Sequence, residues 1–185
     1  MRGILKICIV GCLLVTLFVS LFAAYGLWWG VAYLQPRGAD KIVDLRKGKT
    51  VATQPMLFCA GLANNPHGFP GHAYVVWSKK DTLGICPKEF WSIVLSLSIP
   101  VEGVVDDRAS TGNDRNLEKL VVLVDDATYK RSRAACARWD ATNFRTGSRD
   151  CCAFIDFVAA EIGLVVPKSH FIYHHDHIAK LKTLN

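Results

Sequence analysis

The sequence predicts an α+β protein: an N-terminal transmembrane helix, then a domain in which an antiparallel sheet packs against helices. Three observations lead there. Residues 7–34 carry no charge over 28 positions, and about 20 apolar residues suffice to cross a bilayer as a helix. Short runs rich in β-branched and aromatic residues recur between residues 55 and 124. Clear helical periodicity follows them, which is the order of an α+β domain.

The apolar stretch, ICIVGCLLVTLFVSLFAAYGLWWGVAYL, ends with Trp28, Trp29 and Tyr33, residue types favoured at a membrane interface. A cleaved signal peptide is the alternative, with Arg2 and Lys6 as its basic region. Cleavable apolar cores usually run ~7–15 residues, about half this length. An uncleaved single-pass anchor over residues 1–35 is therefore expected, followed by a polar linker over 36–50 and one domain over 51–185. Arg37, Lys41, Arg46, Lys47 and Lys49 follow the span and would hold the domain in the cytoplasm by charge alone. Long downstream domains can translocate despite such charge, and the short head is easily kept inside. The orientation we take is extracytoplasmic.

The net charge of +6 favours anionic neighbours, either an envelope polymer or lipid headgroups. No long basic stripe is interleaved with aromatics, so nucleic acid is excluded as a partner class. Nothing fixes an oligomeric state. Of seven cysteines, Cys8 and Cys12 fall in the apolar stretch, leaving Cys59, Cys86, Cys136, Cys151 and Cys152. That number is odd, and the spacings fit neither a zinc ribbon nor a disulfide framework. At least one thiol is expected free, and a pairing of Cys59 with Cys86 stays open. No metal and no cofactor is expected.

The elements follow in order. PMLFCAGL (55–62) reads as a short buried strand, closed by the turn-rich ANNPHGFPG. HAYVVWS reads as a strand. EFWSIVLSLSI is ambiguous between strand and helix, and its β-branched content favours strand. VEGVVDD is a further extended piece, and LEKLVVLV is the clearest strand of the chain. DDATYKRSRAACARW reads as a helix capped by Asp125 or Asp126, with Tyr129, Ser132, Cys136 and Trp139 on one face. Cys136 is then a small core residue, and Lys130, Arg131, Arg133 and Arg138 form a solvated face.

The last clear helix begins at DCCAFIDFVAAEIGL. Cys151, Phe154, Ile155, Val158 and Ile162 recur at spacings of three and four and form a buried stripe. Asp150 is placed to cap the helix and Gly163 to end it. A thiol in the first turn faces unpaired N–H groups and the positive end of the macrodipole, which favour the thiolate. Cys152 lies about 100° round the axis and is expected to pack beneath. A nucleophilic thiol needs a base, and His72 opens a strand after a Gly-Phe-Pro-Gly turn. Read singly, Cys151 is core packing and His72 a polar strand end.

Together these segments resemble a known family. DCCAFIDFVAAEIGL resembles the Asp-Cys-Ser-Gly-Phe-Val helix of NlpC-type papain-like peptidases. It is equally similar to the Asn-Cys-x-x-Phe helix of their circularly permuted relatives, which include the lecithin:retinol acyltransferase group. GHAYVVW precedes the cysteine helix, as the histidine strand does in the permuted branch, and LGICPK (83–88) resembles a segment that follows that strand. The resemblance covers about residues 55–165. It implies a permuted papain-like domain with Cys151 as nucleophile and His72 as base. Acyltransferase-like members carry a second histidine about twelve residues on, where this chain has Gly84. The third catalytic group is therefore unknown, and spacing selects none of Glu89, Glu102 and Asp106.

The implied activity is that of a cysteine hydrolase, foremost an amidase or endopeptidase on cell-wall peptides. A lipid-directed thiol acyl hydrolase or acyltransferase is the runner-up, and a non-catalytic binding or metal-handling module on the same fold is a third reading. The tail SHFIYHHDHIAKL packs His170, His174, His175, Asp176 and His177 into eight residues. Such tracts can ligate metal, but a structural role, such as contact with lipid headgroups, is the expectation here.

Overall fold

The computed structural model describes residues 16–21, 39–48, 50–61, 72–78, 81–89, 91–106, 116–168 and 174–185. By its contacts the chain divides into two units, Met1–Gln35 and Pro36–Asn185. In the first, residues 16–21 are helical (α1). Among the described residues no helix is long and apolar enough to cross a membrane. The expected transmembrane helix and single-pass anchor are corrected on that finding, with only residues 16–21 of the expected span described. The rest of that stretch lies outside the described residues.

Among its described residues the second unit holds six strands: β1 (Lys41–Asp44), β2 (Gln54–Gly61), β3 (His72–Ser78), β4 (Asp81–Pro87), β5 (Gly103–Asp106) and β6 (Asn116–Val124). Its helices are α2 (Ser92–Leu95), α3 (Asp126–Ala135), α4 (Cys151–Glu161) and α5 (His174–Leu184). The sheet order is β1-β6-β2-β3-β4-β5. The expected antiparallel sheet is corrected to a mixed one. β1 runs parallel to β6, with Lys41 opposite Leu120 and Asp44 opposite Leu123, while the other neighbours are antiparallel. β1 comes from KIVD, inside the stretch expected to be a linker; four residues flanked by charges give almost no strand signal.

Alternation explains which side of the sheet is covered. Met56, Phe58 and Ala60 of β2, Ala73, Val75 and Trp77 of β3, and Leu120, Val122 and Val124 of β6 share one core with Phe154, Ile155 and Val158 of α4 and Ile178 and Leu181 of α5. Period-two burial on strands meets period-3.6 burial on helices, giving one helical layer on one sheet face. Cys59 and Tyr74, from the intervening positions, form a separate small cluster with Leu57 and Val76. α3 is tied to the sheet by Trp77 Nε1 donating to Ser132 Oγ at 2.8 Å and by Tyr129 OH donating to the Trp77 carbonyl at 2.8 Å.

Of the EFWSIVLSLSI segment, expected as a strand, Ser92–Leu95 form the short helix α2 and residues 96–99 the turns after it. Trp91, Val94, Leu95, Leu97 and Ile99 are all exposed there, so no alternating buried face exists to hold it in a sheet. Among the described residues Cys136, Cys151 and Cys152 are free thiols. β3 lies between the strands carrying Cys59 and Cys86, and two strand spacings, about 9–10 Å, are too wide for a disulfide between them.

Candidate active site

Cys151 opens α4 because Asp150 stops the preceding chain and caps the helix. The Asp150 backbone is extended, and its Oδ1 accepts hydrogen bonds from the N–H groups of Cys152 at 3.0 Å and Ala153 at 3.2 Å. Its Oδ2 accepts one from the N–H of Gly147 at 2.6 Å. Gly147 has φ of +83°, a turn conformation that costs glycine little. One buried carboxylate therefore fixes both the loop and the helix start. Burial pushes the Asp150 carboxyl above its ordinary range and the nearby Cys151 charge adds to this, against the Gly147 and Ala153 N–H groups and the His174 ring.

The Cys151 thiol is buried, which alone would raise its pKa. The hydrogen bond from Cys152, the charge and hydrogen bond of His174, and a hydrogen bond from His72 outweigh burial and hold it well below the ordinary thiol range. Cys152 moves the opposite way: bonded to Cys151 and buried, it stays protonated well above that range. The pair behaves as one S–H donating to one thiolate. Cys152 was expected to pack beneath, pointing elsewhere; instead both Sγ atoms and a ring nitrogen of His174 lie within 4.8 Å of one another. Those two thiols and that ring are all buried.

His72 reaches the thiol from the start of β3. Its ring stacks on Tyr74 with centroids 6.0 Å apart and planes at 27°. It also lies across Gly84 of β4: a Cβ there would collide with His72 Nε2 and come within 2.8 Å of Cε1. The position where a second histidine was sought is thus occupied by the first one's ring.

The second imidazole comes from α5, whose first residue is His174. His174, His175 and His177 are all buried, which fits a structural role for the histidine tract and not contact with headgroups. α5 is anchored to α4 by His177 Nε2 and Asp156 Oδ1, 2.8 Å apart. It is anchored to β6 by Lys182 Nζ donating to Glu118 Oε2 at 2.6 Å. Asn185 closes the end, donating to the carbonyls of Leu181 and Val165, each at 2.9 Å. His174 was missed as a site residue, although His174, Ile178 and Leu181 recur at helical spacing and marked it as inward-facing. Glu102 pairs instead with Lys88 at 2.8 Å, both well exposed. Asp106 ends β5, opposite Gly84.

The segment before α4 is stitched to the exposed apolar ledge at 91–99. Thr146 N–H donates to the Ser96 carbonyl at 3.1 Å, and the Ser96 and Thr146 hydroxyls are 2.6 Å apart. Val101 and Phe144 exchange backbone hydrogen bonds of 2.8 Å.

Comparison with protein-family models, with curated proteins and with solved structures finds no match to this chain.

Proposed function

We propose that the chain is a cysteine hydrolase whose nucleophile is Cys151 and whose base is His72, with His174 as a second imidazole on the same thiol. The observation that carries this is a buried thiol at a capped helix start with a His174 ring nitrogen within 4.8 Å, and with His174 and His72 both favouring its thiolate. The resemblance to NlpC-type peptidases and their permuted relatives points to the same pair. In the reaction, Cys151 Sγ bonds to the substrate carbonyl carbon and the carbonyl electron pair moves to oxygen. The Cys151 N–H, at the positive end of α4, is suited to hold that oxyanion. His72 carries the proton taken from the thiol and gives it to the leaving amine or alcohol as the carbon–heteroatom bond breaks. Water, deprotonated by the same ring, then attacks the thioester, breaking the S–C bond and restoring the thiolate.

The resemblance makes cell-wall peptide amides the first substrate class. A second class, lipid acyl esters, is favoured by the exposed Trp91, Val94, Leu95, Leu97 and Ile99 beside the loop that enters α4. A release assay on peptidoglycan fragments and on acyl esters, run with Cys151→Ser and His72→Ala, decides. Turnover of either class that both substitutions abolish supports the proposal, and its class names the substrate. Turnover that survives Cys151→Ser, or turnover of neither class by protein whose thiols are reduced, contradicts it.

A further inference from the structure

We propose that Cys151, Cys152 and His174 form a binding site for one soft d10 metal ion, zinc above all, and that the ion shuts off the nucleophile. The two Sγ atoms and the His174 ring nitrogen lie within 4.8 Å of one another. Around a tetrahedral zinc, with Zn–S about 2.3 Å and Zn–N about 2.0–2.1 Å, neighbouring donors stand roughly 3.5–3.8 Å apart. The cluster needs to close by only about an ångström to meet that geometry.

The chemistry of the donors selects the ion. Two sulfurs and one imidazole, with no carboxylate in the set, suit zinc or copper(I) and disfavour magnesium and calcium. The donors come from two elements held independently of any ion, α4 by its Asp150 cap and α5 by the Asp156–His177 and Glu118–Lys182 contacts. Such a site is built beforehand, and the ion has little ordering to impose. The fourth position falls to His72, at the start of β3 with its ring over Gly84, or to water. Cys151 bonds to the metal as its thiolate, while Cys152, and any imidazole that enters the set protonated, releases its proton as it bonds.

The inhibitory half rests on the proposed hydrolase reading. A Cys151 sulfur bonded to zinc has committed the electron pair with which it would attack a carbonyl, and a His72 drawn to the metal no longer receives a proton. Occupancy and activity are then mutually exclusive.

Cobalt(II) tests the site directly, added to the reduced, chelator-treated full chain. We expect one ion per chain, a thiolate-to-cobalt charge-transfer band, the visible bands of tetrahedral cobalt, and displacement by zinc. Cys152→Ser and His174→Ala should each weaken binding by more than the ~10–100-fold that loss of an outer-shell partner costs, while Cys86→Ser should not. If a variant fails to fold, zinc protection of Cys151 and Cys152 from alkylation in the unsubstituted chain, located by mass spectrometry, serves instead. A cobalt spectrum without thiolate character, or thiols that zinc leaves unprotected, overturns the site. Ester hydrolysis that persists at full cobalt occupancy overturns the inhibition and leaves the site standing. Metal binding in a protein with no hydrolytic activity refutes the hydrolase reading alone, so the two failures are distinguishable.

Discussion

The ring of His72 occupies the space that any side chain on Gly84 would need. A Cβ at Gly84 would overlap Nε2 and approach Cε1 to 2.8 Å and the Ala73 carbonyl oxygen to 3.1 Å. Absence of a side chain on β4 is what lets an imidazole from β3 lie flat there and reach the α4 thiol. Gly84→Ala should therefore cost activity far more than stability. We expect a drop in kcat/KM of about 10²-fold or more, the range lost with a general base. Stability should fall by about 1–3 kcal/mol, as for overpacking. Kinetics beside a denaturant melt separate the two.

The buried pair Lys182–Glu118 holds α5, and through it His174, against β6. Their side chains are 10% and 1% exposed, so removing one partner strands the other charge away from water. Lys182→Met should destabilise the domain by about 3–5 kcal/mol, read as a shifted urea midpoint with an unchanged slope. The double substitution Lys182→Met with Glu118→Leu should restore most of the loss, because neither charge is then left buried.

Two thiols should set opposite pH trends. Burial pushes Cys136 up to about 11, whereas an unfolded thiol ionises near ~8.5. Above ~8.5 the unfolded chain releases a proton that the folded chain keeps, so Cys136 makes stability fall as pH rises. Cys151 is lowered in the fold, so its contribution is fully present above ~8.5 and is lost as pH falls through the lowered value. Cys152, also raised in the fold, adds to the Cys136 loss, so urea melts across alkaline pH should show a fall that Cys136→Ala reduces but does not remove. Alkylation mapped at neutral pH should mark Cys151 and spare Cys136; the reverse order would contradict the assignment.

The exposed ledge separates the two substrate classes. If lipid esters are the substrate, Trp91→Asp should reduce turnover on vesicle-borne ester roughly tenfold, equivalent to about 1.4 kcal/mol of lost interfacial affinity. Turnover of a short soluble ester should be unchanged. Equal turnover of both by the variant would remove the ledge from the account.

How much of this was legible in the sequence varies with the physics of each element. β2, β3 and β6 were readable because alternation or a continuous β-branched run leaves few other options, and α4 because its cap and buried stripe agree. Cys151 and His72 stood out as a pair only through the family resemblance, because read singly one is core packing and the other a polar strand end. β1 was hidden because an edge strand of four residues pairs through backbone, which leaves little mark on side-chain choice. The 91–99 segment misled because a helix turn with exposed apolar residues looks like a strand whose face is buried. The role of Gly84 was out of reach, since the absence of a side chain carries no pattern. His174 lay in plain view but was read as one member of a polar tract, when its spacing from Ile178 and Leu181 placed it on the buried stripe.

The most direct test of the central claim is covalent. The full chain, reduced and freed of metal, is mixed briefly with an activated acyl ester, quenched in acid and mapped by mass spectrometry. A single acyl group on the peptide carrying Cys151 is expected, formed much more slowly in His72→Ala and absent in Cys151→Ser. Acylation spread over Cys86 and other residues, or unaffected by His72→Ala, would contradict an activated Cys151 and leave α4 as a packed helix that happens to begin with two thiols.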